Sequence, residues 1–193
     1  MKRLIAVVLC FTTISTYAQS KFSFFKSTSS IKPDIEKVAR DYFENFDNIK
    51  GDTIMQTVST IEFASKIIPA GSLETSITKY KTPKTYSWQS TLYKTEEFKE
   101  AVAKYRQYFH QLNGATFTFS DKKTYRMAGN YDTPDEGRTF ASSVLEAHSY
   151  DPGMKLFKIE IALDYLFPDW TVKIMVYEKV ADEDIRPSSG YIN

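Results

Sequence analysis

Cysteine is almost missing from this 193-residue chain: the single one, Cys10, lies within the first twenty residues. Those residues, MKRLIAVVLCFTTISTYAQS, carry the three parts of a secretory signal. Lys2 and Arg3 precede an apolar run from Leu4 to Phe11, and Thr16-Tyr17-Ala18 stands before Gln19. The expectation is a signal peptide over 1–18, cleaved after Ala18, and a secreted or periplasmic product. Cleavage removes the only thiol, so the mature chain has no disulfide and is held by its core alone. Lipidation at Cys10 is disfavoured, because Leu9 stands where that signal wants Gly or Ala and Phe11 follows.

Long apolar runs are lacking as well. The run in the signal is too short for a bilayer, which needs roughly 20 apolar residues, and no later stretch comes closer, so no transmembrane segment is expected. Charge of one sign is also absent. Basic residues number 25 and acidic ones 24, and without Lys2 and Arg3 the balance is 23 to 24. A polyanion binder concentrates positive charge, and this chain does not, so no nucleic acid is expected as partner. Glycine is scarce and scattered, which excludes a phosphate-cradling loop, and no cofactor is expected.

Histidine occurs twice, at 110 and 148. His110 falls about 120° from the centre of its helix's apolar stripe, at ~100° per residue, and reads as a surface residue. His148 lies in AHSYDPG, near a turn; neither belongs to the HExxH spacing that sets two metal ligands on one helical face. No Gly-x-Ser-x-Gly elbow is present. Asp132, Asp135 and Glu136, in NYDTPDEGR, are the candidates for an oxygen-ligand metal site, but they lack the EF-hand order and suit an ordinary turn, so no metal is expected.

Helical spacing, by contrast, is plain in two places. Ile35, Val38, Ala39, Tyr42, Phe43, Phe46 and Ile49 predict a helix over 34–49, opened by Pro33 and closed by Gly51. Phe98, Val102, Tyr105, Phe109 and Leu112 predict a second, capped at Thr95 and ended at Gly114. Strands are expected at 73–79, 85–94, 115–119, 123–128 and 139–147, and, less distinctly, within 53–68. The strongest strand pattern is a C-terminal hairpin with Leu163 opposite Ile174, Ile161 opposite Val176 and Asp164 opposite Lys173, turning at Pro168-Asp169 through a four-residue loop. Glu160 and Asp164, sharing their face with Lys158, read as a solvated sheet surface.

The order helix, strands, helix, strands predicts an α+β fold with two helices packed on one face of an antiparallel β-sheet. An extended arm over 19–32 leads into a single domain over 33–180, and a polar tail follows at 181–193. RDYFENFDNIKGDTI at 40–54 is similar to RQYFHQLNGATF at 106–117, which suggests a tandem pseudo-repeat with halves 33–94 and 95–180. Aromatic residues make up 15% of the chain. Those in or beside predicted loops, Tyr131, Tyr150 and Trp170, are the candidates for ligand or partner contact. The leading functional expectation is an exported, non-catalytic binding or interaction domain whose partner is an unknown protein or small ligand. The alternatives are a carrier with an apolar pocket between sheet and helices, and a hydrolase using acidic loop residues with His148.

Overall fold

The computed structural model describes residues 30–179; the expected signal peptide, most of the expected arm and the expected polar tail lie outside the described residues. The first helix, α1, runs Lys32–Arg40 with Pro33 in its first turn and Ile35, Val38 and Ala39 buried. Ile31, expected in the arm, is buried, and its N–H donates to Gln111 Oε1 at 2.8 Å. The helix does not reach Ile49 as its spacing predicts. Asp41 stops it: its carboxylate accepts the N–H groups of Asn48 (3.0 Å) and Ile49 (3.3 Å) and the Asn48 side-chain amide. A single 3-10 turn, Tyr42–Glu44, follows, and then Asn45 and Phe46 take φ of 54° and 59°. A bulky Phe in the left-handed region costs on the order of 1–3 kcal/mol, and the buried Asp41 bonds hold it there.

The second helix, α2, runs Phe98–Leu112 and buries Ala101, Tyr105, Phe109 and Leu112. Thr95 stands outside it and accepts the Glu97 N–H at 3.2 Å, and Gly114, at φ +82°, carries the chain out of it. The two similar segments thus fold differently. Phe46 and Leu112 are both buried, whereas Phe43 is 37% exposed and Phe109 only 4%.

Nine strands form one antiparallel sheet: β1 Lys50–Gln56, β2 Thr60–Ser65, β3 Glu74–Lys81, β4 Lys84–Thr95, β5 Thr116–Thr118, β6 Thr124–Ala128, β7 Phe140–Ala147, β8 Phe157–Leu166 and β9 Asp169–Glu178. Their order across the sheet is β1-β2-β3-β4-β9-β8-β7-β6-β5. Each helix is therefore followed by its own run of strands, and the final strands of the two runs, β4 and β9, pair at the centre. This is the expected α+β arrangement, and the indistinct stretch within 53–68 proves to be the β1–β2 hairpin.

The helices cover one face. Trp88, Ile161, Ile174 and Val176 lie there with no exposed surface, against Tyr105 and Phe109 of α2, and Trp88 Nε1 donates to Ser65 Oγ at 3.0 Å. The two edges are treated unequally. Beside β5, Glu36 Oε1 of α1 accepts the Thr118 N–H at 3.2 Å, closing part of that edge. The β1 edge is bulged and leaves Ile54 and Met55 exposed.

The β8–β9 hairpin keeps the expected faces but not the expected partners. Leu163 is opposite Val172, Ile161 opposite Ile174, and Asp164 opposite Thr171, a slip of two residues from the sequence-based register. A slip of two preserves which side chains are buried, so hydrophobic pattern alone does not resolve it. The turn decides the matter: Leu166 pairs with Asp169 around only Phe167 and a cis Pro168, the two-residue solution of a type VI turn rather than a four-residue loop.

Candidate functional site

The face of the sheet turned away from the helices has a different composition. Alternation along the central strands sets Thr85, Ser87, Gln89 and Thr91 of β4, Lys173, Met175 and Tyr177 of β9, and Lys158, Glu160 and Ala162 of β8 on it. Across the strands Ser87, Tyr177, Lys158 and Glu146 form one row, and Gln89, Met175, Glu160 and Val144 the next. Met175, Tyr177 and Ala162, with the half-buried Phe140, make a small apolar cluster separate from the main core.

Charged groups on this face are buried, contrary to the solvated surface expected of Lys158 and Glu160. Lys158 is 6% exposed and Glu160 1%. Lys158 Nζ is held by Glu146 Oε1 at 2.8 Å and the Lys155 carbonyl at 2.9 Å. Lys173 pairs with Asp164 at 3.2 Å. Glu160 Oε2 accepts the Tyr177 hydroxyl at 2.8 Å, but its Oε1 is buried with no hydrogen-bond partner. The hydroxyls of Thr85 and Ser87, also buried on this face, have none either. Burial pushes the Tyr80 hydroxyl above its ordinary value, Ser87 pulls it down and Glu62 raises it. That Tyr80–Ser87 approach falls outside hydrogen-bond geometry, so the Ser87 hydroxyl counts as unsatisfied. Native interiors rarely leave such atoms unmet, since each costs about 1–3 kcal/mol, more if charged.

Two shallow clefts adjoin this surface, and Glu146 lines both. One, of about 440 Å³, also has Tyr131, Asp132, Ser142 and Val144 in its wall. Gly129 lies there with its backbone so close to β7 that a Cβ would stand 2.0 Å from the Val144 carbonyl oxygen. The other cleft, of about 430 Å³, has Tyr150, Asp151, Lys155 and Lys158. Tyr150, wholly exposed, overhangs a turn fixed by Asp151, which accepts the Tyr125 hydroxyl (2.6 Å), Lys123 Nζ (2.8 Å) and the Gly153 N–H (3.0 Å). Those bonds, Lys123 foremost, push the Asp151 carboxyl down to about 2.

The aromatic candidates are thus divided. Tyr131 and Tyr150 flank Glu146 from opposite sides. Tyr131 is half-buried, its ring 5.4 Å from that of Tyr105 and 5.1 Å from that of Phe109. Trp170 belongs to the core on the other face, 6% exposed, with its ring 4.8 Å from both Phe98 and Tyr165. The acidic loop does not converge. Asp132 accepts two bonds from Arg138 (3.1 and 2.9 Å) and the Ser142 N–H (3.2 Å), and Arg138 holds its carboxyl below the usual range. Asp135 accepts the Gly137 N–H at 2.8 Å, and Glu136 faces solvent. Among the described residues no three His, Cys, Asp or Glu side chains gather where they could hold a metal. His110 and His148 are both exposed.

Sequence reasoning missed Glu160 as the singular group. The one trace it left was the company it kept: Ala162 beside it, and Met175 and Tyr177 at the outward positions of the partner strand. Comparison with protein-family models, with curated proteins and with solved structures found no match to this chain.

Proposed function

We propose that the chain is an exported, non-catalytic binding module that engages its partner with the face of the sheet opposite the helices. One observation supports this reading above the rest: of the four side chains that bury a polar atom without a partner among the described residues, Thr85, Ser87 and Glu160 lie on that face, and the fourth, Tyr131, packs its ring against Tyr105 and Phe109 of α2. A carboxylate oxygen left unmet inside a fold is a cost that stability alone does not explain, whereas binding sites keep such groups in place.

The charges there favour a partner rich in hydrogen-bond donors and positive charge. Lys158 and Lys173 are each neutralised by a carboxylate, which leaves Glu160 as the carboxylate on this face of β8 and β9 without an ion pair among the described residues. The half-buried Tyr131 and exposed Tyr150 at the flanks add aromatic contact area. Export rests on the pattern of the first eighteen residues.

A photoreactive side chain placed at Thr91 or Ser142 tests the reading against one placed at His110, on the exposed flank of α2. Expected is a cross-linked species in the native envelope or medium from the sheet positions alone, lost on Glu160→Gln. Cross-linking from His110 only, or reproducible turnover of a substrate by the purified chain, overturns it.

A further inference from the structure

On the helix side of the sheet, where α1 gives out and β9 ends, a cleft of about 250 Å³ opens between Tyr42, Phe43, Asn45, Phe46, Tyr86 and Glu178. Gly153 completes the lining, and four of the seven residues are aromatic. Their rings stand at steep angles rather than in one plane: Tyr42 is inclined 59° to Phe43, with centroids 5.3 Å apart, and 62° to Phe46. The left-handed pair Asn45–Phe46 bends the backbone around the cleft, so the strained stretch of the fold and the aromatic walls coincide. At the far side Glu178, half-buried, forms no ion pair among the described residues. Its negative charge reaches Tyr42, whose hydroxyl is pushed up first by burial and then by Glu178.

We propose that this cleft binds a quaternary or otherwise N-alkylated ammonium group. The faces of Tyr and Phe rings are electron-rich and attract a cation, and a nearby carboxylate balances its charge. Alkylation suits the aromatic side of the site because methyl groups pack against Tyr42, Phe43 and Phe46, while Glu178 supplies the opposite charge without requiring an N–H. A bare ammonium has three N–H groups to place, while a trimethylated one lays its methyls against the rings. The protein already uses this chemistry beside the cleft. Lys50 Nζ stands 4.8 Å from the Phe63 centroid and 5.7 Å from that of Tyr86, and Lys79 Nζ stands 5.9 Å from Tyr86. Lys50 is neutralised by Asp47, so Lys79 is the repulsion a ligand meets, and the ligand therefore sits toward Tyr42, Phe43 and Glu178.

The site is distinct from the opposite sheet face and does not depend on that reading. The test titrates the purified chain with choline, and in parallel with 3,3-dimethylbutan-1-ol, its uncharged carbon isostere, following NMR shifts of the Phe43 and Tyr42 region. Choline is expected to bind at least about tenfold more tightly than the isostere. Phe43→Ala and Glu178→Gln, both at partly exposed positions and each checked for an intact fold by circular dichroism, are expected to weaken choline by roughly three- to tenfold. Equal affinity for the isostere, no saturation by choline up to about 100 mM, or choline binding unchanged in both variants overturns the proposal.

Discussion

Side chains from the same central strands line both faces of the sheet and meet two different fates. On the helix-covered side, Trp88 of β4 inserts beside Ile174 and Val176 of β9 and gives its one N–H to Ser65. On the other side, one residue away along β4, the Ser87 hydroxyl is buried without a partner, and so is a carboxylate oxygen of Glu160 on β8. The helix face is mostly what a core is for: apolar area is removed from water and the Trp88 N–H is met, with the Tyr131 hydroxyl beside α2 as the exception. The opposite face holds ionised groups out of water with incomplete compensation, which stabilises a fold little or not at all. The difference separates the part of the molecule that keeps it folded from the part that remains to be explained by use.

Substitutions break or sharpen that contrast. Trp88→Ala, on the helix face, is expected to cost about 3–5 kcal/mol in urea denaturation, the loss for a large, fully buried aromatic. Asp41→Ala removes the bonds to Asn48 and Ile49 that end α1 and brace the left-handed pair; about 2 kcal/mol of destabilisation is expected by the same measurement. Arg138→Ala frees Asp132 at the rim of the opposite face. The pair is half-exposed and screened by solvent, so the smallest loss of the three is expected by the same measurement. Its pH dependence has a definite sign. Asp132 is depressed in the folded state, so its contribution is present above the unfolded value of about 4 and is lost as pH falls through the lower folded value. The difference between Arg138→Ala and the parent chain in urea should therefore shrink below about pH 4; a difference that grows there contradicts the pairing.

Much of the fold was legible because burial has a period. Phe98, Val102, Tyr105, Phe109 and Leu112 announce α2, and the alternation from Phe157 to Tyr165 announces β8. Where two answers share one period, pattern fails. The hairpin slips by two residues because Ile161 is equally buried opposite Ile174 or Val176, and only the Phe167-Pro168 turn distinguishes them. The first helix fails for another reason. The spacing from Ile35 to Phe46 is helical, yet Asp41 finds backbone donors seven and eight residues on, a contact no local rule anticipates. The site was less legible still. Tyr131 and Tyr150 each line a cleft beside Glu146, Tyr131 with its ring against α2, whereas Trp170 is core, and Glu160 is indistinguishable in sequence from any outward residue of an amphipathic strand. Its burial follows from neighbours on three strands at once.

The equilibrium unfolding of Glu160→Gln tests the central claim most directly. Gln keeps the shape and an acceptor for the Tyr177 hydroxyl while removing the uncompensated charge, so the account predicts stability unchanged or raised by up to about 1 kcal/mol, together with lost cross-linking from the sheet face. A destabilisation of about 3 kcal/mol or more, with cross-linking intact, would show that Glu160 serves the fold and contradict the division between the two faces.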